Sequence, residues 1–137
     1  SEAGIPIRVM VAPVVPAIND AEIERILEAA AAAGVTGAGY VLLRLPLEVR
    51  DLFREWLAAN FPDREKHVFT LIRQMRGGKD YDAKWGERMT GNGPYAEMIR
   101  MRFEAACARL KLNEQKLALT TEHFSSPRRG GEQLSLF

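Results

Sequence analysis

Arg44 is the charge that stands out in this chain, because VLLRLP places a guanidinium inside an apolar strand end. A guanidinium there needs an anionic or carbonyl partner. A carboxylate such as Glu48, or solvent, meets that need without any ligand, and the general exposure of arginines favours this structural use. Arg8, inside the first apolar run, has the same two readings and leans further to the structural one. A second grouping is GKDYDAKWGERMTGNG, where Lys79, Lys84 and Arg88 alternate with Tyr81 and Trp85. Aromatic rings among cations suit stacking on bases and neutralising phosphates. Asp80, Asp82 and Glu87 offset those cations, so a solvated loop pinned by Trp85 is the competing and heavier reading. His67 and His123 are isolated and lack metal-ligand spacing; both are read as structural, and no metal site is expected. Cys107 lies in an alanine-rich stretch that suits a buried, inert thiol, and Met98 and Met101 read as packing residues. The P-loop, G-x-S-x-G, H-E-x-x-H and paired-cysteine zinc patterns are absent from the sequence.

The elements that must position these residues follow from the apolar pattern. Residues 5–16, IPIRVMVAPVVP, and 39–46, GYVLLRLP, are apolar runs rich in β-branched residues, with a helix-like segment at 19–33 between them. Strand, helix, strand is the order of a parallel βαβ unit. Near-continuous hydrophobicity predicts strands covered on both faces. The first strand is read as 5–11, and the chain then leaves through Pro13 and Pro16, which cannot continue a central strand. Asn19 or Asp20 is placed to cap the helix, with Glu22 completing a partial capping box. Ile23, Ile26, Leu27 and Ala30 share one face, and Gly34 stops the helix. The second strand is read as 36–45, and its Gly37 and Gly39 would let a ligand approach closely. The groove beyond the carboxyl ends of both strands, lined by residues 12–19 and 44–46, is where parallel α/β sheets bind ligands.

Pro46 suits the first turn of a second helix, whose apolar stripe is Val49, Leu52, Phe53, Trp56 and Leu57. Pro62 breaks it, and Asp63 is placed to cap a third helix that buries Val68, Leu71, Ile72 and Met75 before Gly77 and Gly78. Residues 78–93 form a long polar connection, a kind that is often functional or disordered. A fourth helix opens near Pro94 and buries Tyr95, Ile99, Phe103, Ala106 and Leu110. Residues 116–124 suit a short strand or an extended wrap, and 125 onward reads as a flexible tail. There is no internal repeat.

Composition bounds the function class. A chain of 137 residues is long enough for one domain with a core, and 47% hydrophobic with 27% charged residues describes a soluble globular mixture. A net charge of +1 removes any bulk electrostatic case for nucleic acid or membrane. The single cysteine excludes an internal disulfide and any cysteine-only metal cluster built by this chain alone. No apolar run approaches the roughly 18 residues of a membrane span, no secretion leader is visible, and the cytoplasm is the default location. The opening SEAG reads as the last turn of a helix ending on Gly4, so a piece of a longer protein is expected.

GIPIRVMVAPVVPAINDAEI, AGYVLLRLPLEVRDLFREWLAANFPDR and RGGK with GERMTGNGPYAEMI resemble, in that order and over nearly the whole chain, the C-terminal half of radical S-adenosylmethionine proteins related to spore photoproduct lyase, described as DNA-repair-photolyase-like. The resemblance implies an α/β fold: the C-terminal βαβ part of a partial (β/α)6 barrel, followed by a helical extension and a flexible tail. Residues 1–46 would be the last barrel strands, 47–124 the helical C-terminal extension and 125–137 a disordered tail. The parent protein would use S-adenosylmethionine and a [4Fe-4S] cluster held by a C-x-x-x-C-x-x-C loop. This chain lacks that loop, and Cys107 cannot replace it, so the segment alone is expected to hold no cofactor and to be catalytically inert. By the same resemblance, Val11, Ala12, Pro13 and Val14 with Val41, Leu42 and Leu43 would border the adenosyl part of the cofactor, and Arg44 and Arg88 would face the substrate. The missing N-terminal half of the barrel is then a required partner, and DNA a possible substrate.

The end of the chain, Gln133, Leu134, Ser135, Leu136 and Phe137, looks like the pentapeptide with which bacterial polymerases and repair proteins grip the sliding clamp. Gly130 and Gly131 supply a tether, and three apolar residues at a chain end need a partner pocket. A hydrophobic plug folded back onto the domain is the alternative. Two functions from different classes follow: the C-terminal segment of a DNA-repair-related, lyase-like radical enzyme, or a non-catalytic α/β binding module recruited to DNA through the clamp. No membrane partner is expected in either.

Overall fold

Two strands pair in parallel, β1 (Arg8–Val14) and β2 (Gly37–Leu42), joined by helix α1 (Ile23–Ala32). The computed structural model describes residues 5–115 and 120–126. Beyond β2 come α2 (Val49–Asn60), α3 (Glu65–Gln74) and α4 (Gly93–Arg109), with short 3-10 turns at Asp20–Glu22 and Pro62–Arg64. The protein is therefore a mixed α/β fold of four helices and a two-stranded parallel sheet among the described residues. No helix there is long and apolar enough to cross a membrane.

Alternation puts Ala38 and Leu42 of β2 on one face of the sheet, and the slip in register between Val11 and Val14 brings both of those β1 residues to that same face. There they meet Ile23 and Leu27 of α1, and Ile99, Phe103 and Ala106 of α4. A second apolar cluster joins the end of β2 to α2 and α3 through Val15, Leu45, Leu57, Val68, Phe69 and Ile72. The faces expected of α1, α3 and α4 are observed, with Phe69 an addition and Ile26, Ala30, Tyr95 and Leu110 only half-buried. Gly77 and Gly78 both take positive φ just after α3, where the Gly78 amide returns to the Arg73 carbonyl at 2.8 Å.

Several expectations are corrected. β1 begins at Arg8 and runs through Pro13 rather than ending at Val11. Proline is tolerated because β1 pairs with β2 alone among the described residues, and because the register slips between Val11 and Val14. β2 stops at Leu42, and the Pro46 carbonyl receives the Val49 amide ahead of α2 instead of Pro46 lying inside that helix. The sheet is not covered on both faces: Met10, on the side opposite Val9 and Val11, is 61% exposed. The stripe on α2 is not a core stripe either. Only Leu57 is buried, Phe53 is half-buried, and Val49, Leu52 and Trp56 stay exposed. Met101 is likewise exposed. The helix caps also differ, since neither Asn19 nor Asp63 makes a capping bond. Residues 120–124 form no strand, and 116–119 lie outside the described residues.

The outer edge of β2 is closed by side chain and loop. Asn113, at φ +65°, accepts from the Ala38 amide at 2.9 Å and donates to its carbonyl at 3.0 Å. Further along, the Leu42 amide donates to the Met89 carbonyl at 2.8 Å. These contacts tie the segment after α4 and the 79–92 loop to the sheet.

Candidate functional site at the carboxyl ends of the strands

The turn leaving β1 is held by Asn19. Its Oδ1 accepts from the Val15 amide at 2.7 Å, and its Nδ2 donates to the Pro13 carbonyl at 3.0 Å. Short amide side chains readily take local backbone partners, and here that choice removes Asn19 from capping duty. Asp20, 6% exposed, receives the Tyr95 hydroxyl at 2.6 Å. Arg64 of the second 3-10 turn donates to the Ala17 carbonyl at 3.2 Å, so the turn is braced from both sides.

Arg44 follows β2 and is half-buried. It does not pair with Glu48. Its Nη2 donates to the Tyr81 hydroxyl at 3.3 Å, its Nη1 lies 3.8 Å from the Met89 sulfur, and its Nε is buried with no partner. Beside it is Arg76, only 3% exposed, which donates to the Leu43 carbonyl at 3.1 Å and the Glu87 carbonyl at 2.9 Å. Burial pushes the Arg76 guanidinium below its ordinary pKa, and the nearby positive charge of Arg44 adds to that, against the opposing influence of Tyr81 and Asp82. Sequence reasoning missed Arg76. Its signal was position, four residues after Ile72 on the buried face of α3 and directly after Met75.

The 79–92 loop is not pinned by Trp85, whose side chain is 82% exposed. It is held by Arg76, by the bond between Leu42 and Met89, and by the Asn92 amide donating to the Met75 carbonyl at 3.1 Å. Arg88 lies over the Trp85 ring, its guanidinium carbon 4.5 Å from the ring centroid. Lys84 pairs with Glu87, whose other oxygen accepts from Asn92 at 2.7 Å. Those two bonds, Lys84 first, hold the Glu87 carboxyl below its usual range. Beside the loop is a cleft of about 460 Å³ lined by Leu45, Leu47, Arg50, Asp51, Lys79, Asp80 and Tyr81. Both its carboxylates are paired, Asp51 with Arg50 at 2.9 Å and Asp80 with Arg73 at 2.6 Å.

Of the residues set beside an adenosyl group, Val11, Val14 and Leu42 turn into the core. Ala12 and Pro13 are exposed, and Val41 and Leu43 half-buried. Much of the backbone there is already in use. The Pro13 carbonyl serves Asn19, the Val14 carbonyl the Leu43 amide, and the Leu43 carbonyl Arg76. Gly37 and Gly39 admit the chain's own side chains rather than a ligand: a Cβ on Gly37 would lie 2.6 Å from Arg8 Nη1, and one on Gly39 3.1 Å from Met10 Cε. Arg8 itself donates to Asn113 Oδ1 at 2.8 Å.

Cys107 is buried on α4, and desolvation, with Glu104 second, raises its thiol pKa. Among the described residues no group of His, Cys, Asp or Glu is arranged to hold a metal ion. A cluster bound by several thiolates does not fit a chain with one cysteine, so its ligands would have to come from outside this sequence. His67 and His123 are both exposed. Gln133, Leu134, Ser135, Leu136 and Phe137 lie outside the described residues.

No protein-family model, curated protein or solved structure matches the chain.

Proposed function

We propose that the chain is the C-terminal segment of a radical S-adenosylmethionine enzyme, similar to the spore-photoproduct-lyase and DNA-repair-photolyase-like proteins, that acts on a nucleic-acid lesion. The observation that carries this reading is the state of β1. It belongs to a parallel βαβ unit, pairs with β2 alone among the described residues, and carries Met10 on an uncovered face. An apolar parallel strand with one bare edge and one bare face suits the end of a larger barrel, where an earlier strand covers the edge and the interior covers the face. The exposed Trp85 with Arg88 across its ring supports a nucleic-acid-facing loop, because every base offers a π-face to such a pair.

In this reading the N-terminal half of the barrel supplies the cluster ligands, and the cluster supplies reductive cleavage of S-adenosylmethionine. This chain contributes the last two strands, the cations Arg44 and Arg88 toward the substrate, and a tail that recruits the cytoplasmic protein to the sliding clamp. The parent coding sequence and an anaerobic preparation of its product test the proposal. A three-cysteine loop upstream and a brown, oxygen-sensitive protein that releases 5′-deoxyadenosine are expected. A parent lacking the cysteines, or a colourless product with no such release, sinks it.

A further inference from the structure

We infer that Arg44, backed by Arg76, forms a phosphate-binding site at the carboxyl end of β2, entered through the cleft that Tyr81 lines. This site does not depend on the chain belonging to a radical enzyme. Arg44 is a poorly satisfied cation. Its five N–H donors meet one phenol and one distant thioether, and its Nε is buried with nothing to bond. Arg76 donates to the carbonyl of Leu43, the residue before Arg44, which brings a second and almost fully buried guanidinium to the same strand end. Neither forms an ion pair with a carboxylate among the described residues. Asp82, the carboxylate that opposes the lowering of the Arg76 pKa, spends Oδ1 on the Lys84 amide at 2.9 Å.

Two guanidiniums gathered at one strand end, Arg44 half-buried and Arg76 almost fully buried, repel each other, an anion between them relieves that repulsion, and a planar donor fork matches phosphate oxygens. The cleft supplies the way in. Its carboxylates Asp51 and Asp80 are already held by arginines, whereas Lys79 has no side-chain partner among the described residues. The surplus charge at this end of the sheet is therefore positive. Tyr81 both walls the cleft and accepts from Arg44, so a phosphate entering there replaces the phenol as the acceptor of Arg44. The Arg76 fork already serves the Leu43 and Glu87 carbonyls, so Arg76 contributes charge while Arg44 supplies the free donors, and a carboxylate has the right sign but only one charge to set against two cations.

The test is titration of the 137-residue chain with inorganic phosphate, followed by calorimetry and by the arginine Nε–Hε resonances in NMR spectra. Saturable binding that shifts the Arg44 resonance is expected. Arg44→Gln should weaken it roughly tenfold to a hundredfold, as loss of charge-assisted hydrogen bonds does, while folding as the parent chain does. Arg25→Gln, which removes an exposed cation of α1 paired with Glu22, should leave phosphate affinity unchanged. A short single-stranded oligonucleotide that competes with phosphate marks a nucleic-acid backbone as the source; no competition, with phosphate binding intact, marks a free phosphate compound. Absence of saturable binding, equal affinity in Arg44→Gln, or equally tight binding of acetate overturns the site. Should Arg44→Gln fail to fold, Tyr81→Phe serves instead. It removes only the competing hydroxyl, so phosphate affinity should hold or rise, and a loss of affinity counts against the proposal.

Discussion

Tyr95 on α4 donates its hydroxyl to the buried carboxylate of Asp20 across 2.6 Å, joining the 3-10 turn ahead of α1 to the first turn of α4. Desolvation, with the Asp20 bond second, raises the Tyr95 phenol from 10.0 to about 12. The folded protein thus holds this proton more tightly than the unfolded chain. The linked stability is complete below about pH 10 and is lost as pH rises toward about 12. Tyr95→Phe should lower urea stability near neutrality by about 1–3 kcal/mol, because Asp20 stays buried without its donor, and should flatten the alkaline loss. A variant with unchanged alkaline slope would assign that loss to another group.

Arg102 on the same helix grips Glu24 of α1 with Nε at 2.7 Å and Nη2 at 2.6 Å, and also donates to the Asp20 carbonyl at 3.1 Å. The Arg102 bond is the largest influence holding the Glu24 carboxyl below 4.5. A depressed folded-state value contributes stability above the unfolded value, and that contribution disappears as pH falls through the folded one. Chemical denaturation from pH 6 downward should show Arg102→Gln less stable at the top of the range and less acid-sensitive below it, the two curves converging. Parallel curves would show that the pair does not titrate with folding.

The βαβ order, the helix faces of α1, α3 and α4 and the position of the long connection were legible because apolar periodicity reports burial directly. Whether an apolar residue finds a cover was not. Val49, Leu52 and Trp56 have ideal helical spacing and still face outward, since a stripe says nothing of what lies opposite. Asn19 looked like a cap because its chemistry suits one, but the same chemistry served the Pro13 turn. Arg44 was visible as a charge among apolar residues. The second cation beside it depends on a contact between the end of α3 and the end of β2, which no local pattern encodes.

Asn113 acts as a substitute strand for Ala38, using one side chain for both backbone groups at positive φ. Asn113→Gly keeps access to that conformation but loses the bonds, and should cost about 1–2 kcal/mol. Asn113→Ala adds left-handed strain on an L-residue and should cost roughly 1 kcal/mol more. Thermal and urea unfolding of the two variants separate the terms. Equal costs would mean that the backbone relaxes out of positive φ.

The clamp reading of the tail is testable without the rest of the chain, because the match is confined to Gln133, Leu134, Ser135, Leu136 and Phe137. A peptide of the last residues should bind a purified bacterial clamp with micromolar or better affinity, roughly −8 kcal/mol. The double replacement Leu136→Ala with Phe137→Ala should abolish it, since both apolar anchors are removed. Fluorescence anisotropy distinguishes the cases, and equal binding by the altered peptide would remove the clamp from the list of partners.

The bare edge of β1 makes a prediction about the chain by itself. Ile5 is 66% exposed, Ile7 38% and Met10 61%, and among the described residues no strand pairs with the edge of β1 opposite β2. β2 has no such problem, since Asn113 and Met89 occupy its outer edge. An open apolar strand presents unpaired backbone groups to any other chain, and the commonest available partner is another copy. The isolated chain should therefore sediment as a concentration-dependent mixture of monomer and larger species. Charge on an edge blunts such pairing, so Ile7→Lys and Met10→Lys should each move the distribution toward monomer. Both side chains are exposed, and neither replacement opens a cavity, so unfolding temperatures should change little. Adding the N-terminal half of the parent protein should suppress association in the unaltered chain, because the edge then has its own partner. Sedimentation velocity over a range of concentrations decides the matter, and a chain that is monomeric throughout, with both lysine variants indistinguishable from it, would show that the edge is already protected.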